Sequence, residues 1–447
     1  MTTQVINGPW SEAQRVWIDT GAPKITIKTN SNTTWAQTGS VTVALQDSKS
    51  GLAAGAKLKY GWSTSNSTAP SKYTDVTPSY TEGTTSEVTF TASASGLTGK
   101  YYLWVVPTTL ADTAGNAQTT TAKSTGQFYF DNNKPTAGTA TMKLGSSSGS
   151  AYSNDSWTNQ SVYVAKNNGS DGSGESGHSS TTWTIAGTAE SGTSKTLDPG
   201  SGKSATYSIV VTTADVAGNT ASNTYTVKID KAGPTAPTIS GGSTSWATSR
   251  TIKVDTASTD TGVGTIANYE YYCGSSAPTS SSAATASLAS GTTSVKFNTN
   301  YNGYYVSFRA VDGVGNKGTW SSTQRLYIDT VSPTVAANNT SITITEGDVK
   351  AFEELFTVTW GGITEGTKVY TLNDASTDYE NTDQLAAGDY TLRCTANKNN
   401  GTSAYANVTI TVKAKSTLPE EETVLASLDS TTFESEGGTT TRNIKLR

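Results

Sequence analysis

Aspartates recurring at fixed places are the residues of this sequence best suited to chemistry. Asp19, Asp131, Asp230 and Asp329 close the strand-like phrases QRVWID, QFYFD, TVKID and RLYID, and each precedes a proline by four residues (Pro23, Pro135, Pro234, Pro333). A second set sits in loops rich in Gly, Ser and Thr: Asp47 in DSKSG, Asp171 in DGSGESG, and Asp255 and Asp260 in DTASTDTG. A third opens a short turn closed by asparagine, from Asp112 to Asn116, Asp215 to Asn219 and Asp312 to Asn316. Carboxylates together with backbone carbonyls and Asn oxygens make the all-oxygen ligand set that a hard cation such as calcium takes. The same residue types also shape turns and cap strand ends, because Asp bonds the backbone beyond it while Gly and Asn supply the positive φ of a tight hairpin. Spacing alone leaves both chemistries open.

The elements that position these residues recur with a period of roughly a hundred residues, the size of a compact domain. Full repeats run from about Gly21 to Asp131, Asn132 to Asp230 and Lys231 to Asp329, and GPWSEAQRVWID (Gly8 to Asp19) aligns without a gap to GTWSSTQRLYID (Gly318 to Asp329). Residues 1–19 therefore read as the last strand of a repeat whose earlier strands are absent. Each repeat opens with a Pro-led strand, then a Trp (Trp35, Trp157, Trp246) ahead of an alternating strand, then the Asp/Gly loop. An aromatic third strand follows (Tyr60, Trp183, Tyr269), where a β-sandwich places an aromatic against its core. Tyr102, Tyr207 and Tyr304 begin the penultimate strand, at a position compatible with a tyrosine corner, and the D-x-x-x-N hairpin comes last. Residues 330–415 keep this plan less faithfully: the hairpin tip NKNNG has no Asp, and Val349 to Leu355 reads as one turn of helix. With 15% charged and 34% apolar residues, the latter alternating as in SVTVAL and YTVKID, the 447-residue chain is expected to be all-β rather than helical or disordered.

Several functions are disfavoured by what the chain carries. A net charge of −5 offers no basic face to a phosphate backbone, so no nucleic-acid partner is expected. The single histidine, His178, lies in GESGHSSTT as an exposed loop residue, leaving a triad or His-based metal site one participant, and a glycosidase-like carboxylate pair would stand in one repeat rather than follow all of them. We therefore expect no enzyme. Cys273 and Cys394 fall in different repeats and are not expected to pair, no stretch is apolar enough to span a membrane, and no export signal opens the chain. LPE at Leu418 reads as linker, and residues 416–447 as linker and the start of a further truncated domain. No trio for a Lys–Asn cross-link is identifiable.

The D-x-A-G-N-type hairpin, the closing Ile-Asp and the Pro opening the next unit resemble the bacterial Ig-like domains found in tandem in surface proteins and large adhesins. The resemblance covers residues 1–329 well, is generic over 330–415 and weak beyond. It implies tandem Ig-like antiparallel sandwiches in an elongated rod: domain 1 at 20–131, domain 2 at 132–230, domain 3 at 231–329 and a divergent domain 4 at 330–415. In such a sandwich the loop after the second strand and the final hairpin lie at the end where the chain enters. Asp19 then approaches Asp47 and Asp112, Asp131 approaches Asp171 and Asp215, and Asp230 approaches Asp255, Asp260 and Asp312. Calcium is expected at the junctions of Asp131 and Asp230 and is expected to skip Asp329. The function implied is a non-catalytic, extracellular stalk of a bacterial surface protein supporting an adhesive region. Alternatives are a virion tail or fibre component, assembly by strand donation through the unpaired terminal strand, and a glycan-binding module using Tyr269, Tyr271, Tyr272 or the three repeated Trp residues. A host or cell-surface protein or a glycan is the expected class of partner.

Overall fold

The computed structural model describes residues 12 and 14–416. The described residues form four antiparallel β-sandwiches of one plan, each around its own core. In the second, Thr139–Leu144, Val162–Asn167 and Ser194–Leu197 form one sheet. Its other sheet runs in the order Trp157–Thr158, Thr220–Asp230, Ser204–Asp215, His178–Ile185, Thr188–Ala189. Only the short Trp157–Thr158 strand runs parallel to its neighbour, with Trp157 opposite Lys228. The first sandwich repeats this order, the third reduces the parallel strand to a bridge between Ala247 and Ile328, and the fourth thins the smaller sheet to Thr334–Ala337 and Phe356–Thr359.

Period-two alternation selects the inward residues. Along Ser204–Asp215 the inward face carries Ile209, Val211, Thr213 and Asp215, all buried, and along Tyr301–Asp312 the series Val306, Phe308, Ala310 and Asp312 does the same. The last inward position is thus a carboxylate at the rim of the core. Tyr60, Trp183 and Tyr269 are buried on the third strand as expected. Trp35 and Trp246 pack half-buried on the last strand, their ring centroids 5.1 Å from Tyr129 and 5.2 Å from Tyr327.

Two local expectations change. A tyrosine hydroxyl reaches back to the backbone from Tyr101 (to Thr98 O, 3.2 Å) and Tyr390 (to Ala386 O, 3.1 Å), rather than from Tyr102, Tyr207 and Tyr304. Side-chain parity separates Tyr101, packed against the first core, from the exposed Tyr304, but not Tyr207, which packs against the second core. The helical turn is a 3₁₀ turn confined to Phe352–Leu355, anchored by the buried Phe352 and Leu355. Cys273 and Cys394 are free thiols, and no helix among the described residues is long and apolar enough to cross a membrane. Residues 14–20 join no ladder, and Val16, Trp17 and Ile18 are 80%, 87% and 78% exposed. The rest of the opening phrase, the LPE tripeptide and residues 417–447 lie outside the described residues.

Candidate metal centre at the domain junctions

Each junction is built from three pieces that the strand order brings to one end of a sandwich. The linker Asp arrives at the end of the preceding sandwich's last strand at Asp131, Asp230 and Asp329, while Asp19 follows residues that join no ladder. Its carboxylate first closes a turn on its own chain: Oδ1 accepts the N–H two residues on, from Gly21, Asn133, Ala232 and Val331 at 2.9, 3.1, 3.0 and 3.1 Å. Oδ2 then accepts an N–H from the loop after the second strand of the next sandwich, from Ser50 (3.2 Å), Ser176 (2.7 Å), Val263 (2.7 Å) and Thr364 (2.7 Å). At the third and fourth junctions the carboxylate also crowds a glycine of this loop: a Cβ on Gly262 would fall 2.0 Å from Asp230 Oδ2, and one on Gly362 2.2 Å from Asp329 Oδ1.

The hairpin completes the clasp. Gly115, Gly218 and Gly315 have φ of 93°, 92° and 93°, which turns the chain so that Asn116, Asn219 and Asn316 face back toward the linker. Each Asn Nδ2 donates to the linker carbonyl, at 3.0 Å to Asp19 O, 3.0 Å to Asp131 O and 2.9 Å to Asp230 O, and also to the hairpin Asp at 2.7 Å. Both neighbours of the amide are acceptors, so its NH₂ end faces them, and the Oδ1 is the end left for a ligand. Asn316→Ala is expected to cost the third sandwich about 1–3 kcal/mol, because two acceptors lose their donor. Denaturant unfolding measures this, and a loss below about 0.5 kcal/mol would mean that water replaces the amide without penalty.

Three trios of carboxylates converge at these clasps: Asp19 with Asp47 and Asp112, Asp131 with Asp171 and Asp215, and Asp230 with Asp260 and Asp312, with one oxygen from each residue within 4.8 Å of the others. Asp255 does not join. It stands exposed within the Arg250–Thr256 strand beside Lys253, 3.4 Å away, because the ladder holds it short of the loop that carries Asp260 inward. Asp131, Asp215, Asp230 and Asp312 are buried, and among the described residues no Lys or Arg is ion-paired with any trio member. Unit charges 4.8 Å apart repel by roughly 3 kcal/mol at an effective dielectric near 20, a cost that a bound cation would offset. Asp171 Oδ1 and Asp260 Oδ1 are buried with no hydrogen-bond partner, as expected of oxygens kept for an ion. The donor set is all oxygen, and it fits calcium better than a softer metal.

In the first trio, the Gly21 N–H and Ser50 hold the Asp19 carboxyl below its ordinary range. Burial pushes the Asp112 carboxyl up, but hydrogen bonds from Asn116 and Ser50 outweigh it and leave it lowered. His178 is exposed as expected, but it opens the His178–Ile185 strand opposite Asp215 instead of lying in a loop, and its Nε2 is 2.9 Å from Thr181 Oγ1.

The fourth junction departs from the other three. Its hairpin position is held by Lys398: the Lys398 N–H donates to Thr402 O as the Asp112, Asp215 and Asp312 N–H groups donate to their asparagine carbonyls. Lys398 Nζ lies 2.9 Å from Asp329 Oδ2 with both side chains fully buried, and Asn400 Nδ2 donates to Asp329 O at 2.8 Å. Sequence reasoning missed both residues. The available signal was parity, since Leu392, Cys394, Ala396 and Lys398 share the inward face of their strand, where a charge needs a partner.

No family model matches the chain, and no curated protein sequence matches it. Similar solved structures include a tetra-tandem repeat in the extending region of a large adhesion protein, at 15% identity over 87% of this chain and 99% of that one, with a TM-score of 0.26. The FN1–FN3 domains of chicken CNTN1 are 12% identical over 69% of this chain and 99% of that one, with a TM-score of 0.23. Extracellular cadherin domains 3–6 of protocadherin gamma B2 are 12% identical over 88% of this chain and 100% of that one, with a TM-score of 0.24. At these values the likeness carries nothing about ligand or role. The chain is a tandem of Ig-like sandwiches on the strength of its own sheets.

Proposed function

We propose that this chain is a segment of an extracellular, adhesion-type stalk of the bacterial surface kind that its repeats resemble, and that calcium binds its three carboxylate trios and stiffens the junctions at Asp131 and Asp230. The observation that carries the proposal is the recurrence of one construction at successive junctions: a linker carboxylate, a loop carboxylate and a hairpin carboxylate within reach of one ion, gathered around an asparagine clasp. A catalytic arrangement has no reason to repeat at every boundary, whereas a device that sets the angle between neighbours does. Sites of this composition in extracellular modules bind calcium at about 10⁻⁴–10⁻³ M. At ten times Kd, an ion adds only ~1.4 kcal/mol to a domain, small beside a stability of ~5–15 kcal/mol. Calcium therefore changes hinge stiffness, not folding.

The test exploits the two chemistries of the loop carboxylate. Asp260 Oδ2 accepts the turn N–H groups of Gly262 and Gly264 while Oδ1 is free. Asp260→Asn and Asp171→Asn keep an oxygen for the turn and remove the charge facing the ion. Calorimetric titration should find one calcium per trio in the wild type and one fewer in each variant, with Asp255→Asn unchanged. Small-angle scattering should show a more flexible particle on chelation while far-UV dichroism stays constant. Absence of calcium binding at millimolar concentration, or scattering indifferent to chelator, refutes metal stiffening and leaves the motif as turn chemistry.

A further inference from the structure

We infer that the fourth junction is a metal-free lock in which the Lys398 ammonium serves as a built-in cation on the linker carboxylate Asp329. Three observations converge on it. Lys398 stands at the hairpin position that Asp112, Asp215 and Asp312 occupy elsewhere, as the shared N–H bond across the hairpin shows. Its three donors are all used on the entering chain and its surroundings: Val331 O at 2.7 Å, Gly361 O at 2.8 Å and Asp329 Oδ2 at 2.9 Å. The loop carboxylate of the other junctions is also gone. In its place Thr364 gives both N–H (2.7 Å) and hydroxyl (2.8 Å) to Asp329 Oδ2, and Ile363 adds an N–H at 2.9 Å.

The substitutions are concerted. One carboxylate becomes an ammonium and another becomes neutral donors, so the charge at the site changes from three negatives seeking an ion to a balanced pair. Asn400 preserves the clasp, donating to Asp329 O at 2.8 Å and Val331 O at 3.0 Å, although it sits two residues after the hairpin Lys rather than four. A carboxylate with a metal gains stiffness only when the ion is present; one paired with a tethered ammonium is held with or without calcium. The third and fourth sandwiches thus keep one mutual orientation with or without calcium, unlike their predecessors. The same pair does not suit a covalent amide: condensation needs a neutral amine and a protonated carboxyl and releases water, and four donors besides Lys398 keep Asp329 ionised.

Pulsed dipolar distances between spin labels test this on the full chain in a Cys273→Ser background. One pair, Ser287→Cys with Thr409→Cys, spans the fourth junction; another, Ser194→Cys with Ser287→Cys, spans the third. The fourth-junction distribution should be narrow and identical with calcium or chelator, and should lose its narrowness in Lys398→Met under both conditions. Because Lys398→Met leaves a lone buried charge and can unfold its domain, Lys398→Met/Asp329→Asn, which removes both charges, is measured alongside, with dichroism reporting folding. A folded double variant whose distribution stays narrow overturns the lock, as does a wild-type distribution that widens on chelation. The third-junction pair reports separately on calcium: its indifference to chelator refutes metal stiffening and leaves the Lys398 lock standing.

Discussion

Lys398→Met should destabilise the fourth sandwich by about 3–5 kcal/mol, a large part of the ~5–15 kcal/mol that holds a domain together. The loss comes less from the attraction removed than from the Asp329 carboxylate left buried with no cation; both side chains are fully buried in the wild type. The pH dependence carries the signature. Burial pushes the wild-type Asp329 carboxyl up, but Lys398, Thr364 and Val331 outweigh burial and hold it well below the ordinary carboxylate range. A depressed folded-state pKa means that Asp329 contributes stability above its unfolded value and loses it as pH falls through the lower folded value. Wild-type stability from this group therefore persists down to the ordinary carboxylate range and declines only below it. In Lys398→Met the carboxyl loses its cation and sits higher than in the wild type, so acid weakens the wild type more than the variant. The urea midpoints of the two proteins should accordingly converge as pH falls through the ordinary carboxylate range. A gap of constant size would show that the penalty is lost packing of the lysine stem and not an unpaired charge.

Trp183→Ala should cost the second sandwich about 3–5 kcal/mol, the range for removing a fully buried large aromatic. Trp183 is 1% exposed and lies in a core with Val162, Val164, Ile209, Val211, Val227 and Ile229, and its Nε1 donates to Gly192 O at 2.8 Å. Truncation opens a cavity and orphans that carbonyl. Segment-resolved hydrogen exchange should show faster exchange across 139–230 with little change in the first and third cores, because each sandwich buries its own cluster. Equal acceleration in all three would mean that the junctions couple the domains into one cooperative unit.

Sequence alone determined the all-β class, because alternation of apolar residues states which face of each strand is buried without reference to any distant residue. It also determined that carboxylates recur at the entry of three successive units, since repetition at a fixed period is a one-dimensional property. Which carboxylates meet was decided only by tertiary structure. Asp255 and Asp260 are the same residue type in one phrase, yet a ladder keeps the first on an exposed strand and a loop releases the second toward Asp230 and Asp312. The asparagines were legible as turn residues; that their amides donate across 97, 88 and 86 residues to the linker carbonyl was not, because a turn motif specifies its own backbone and not the chain that enters beside it. The fourth junction was least legible of all. The absence of Asp from NKNNG could be read from the sequence. The use of Lys398 in its place depends on carbonyls 67 and 37 residues away closing around one ammonium, and only the packed sandwich brings them there.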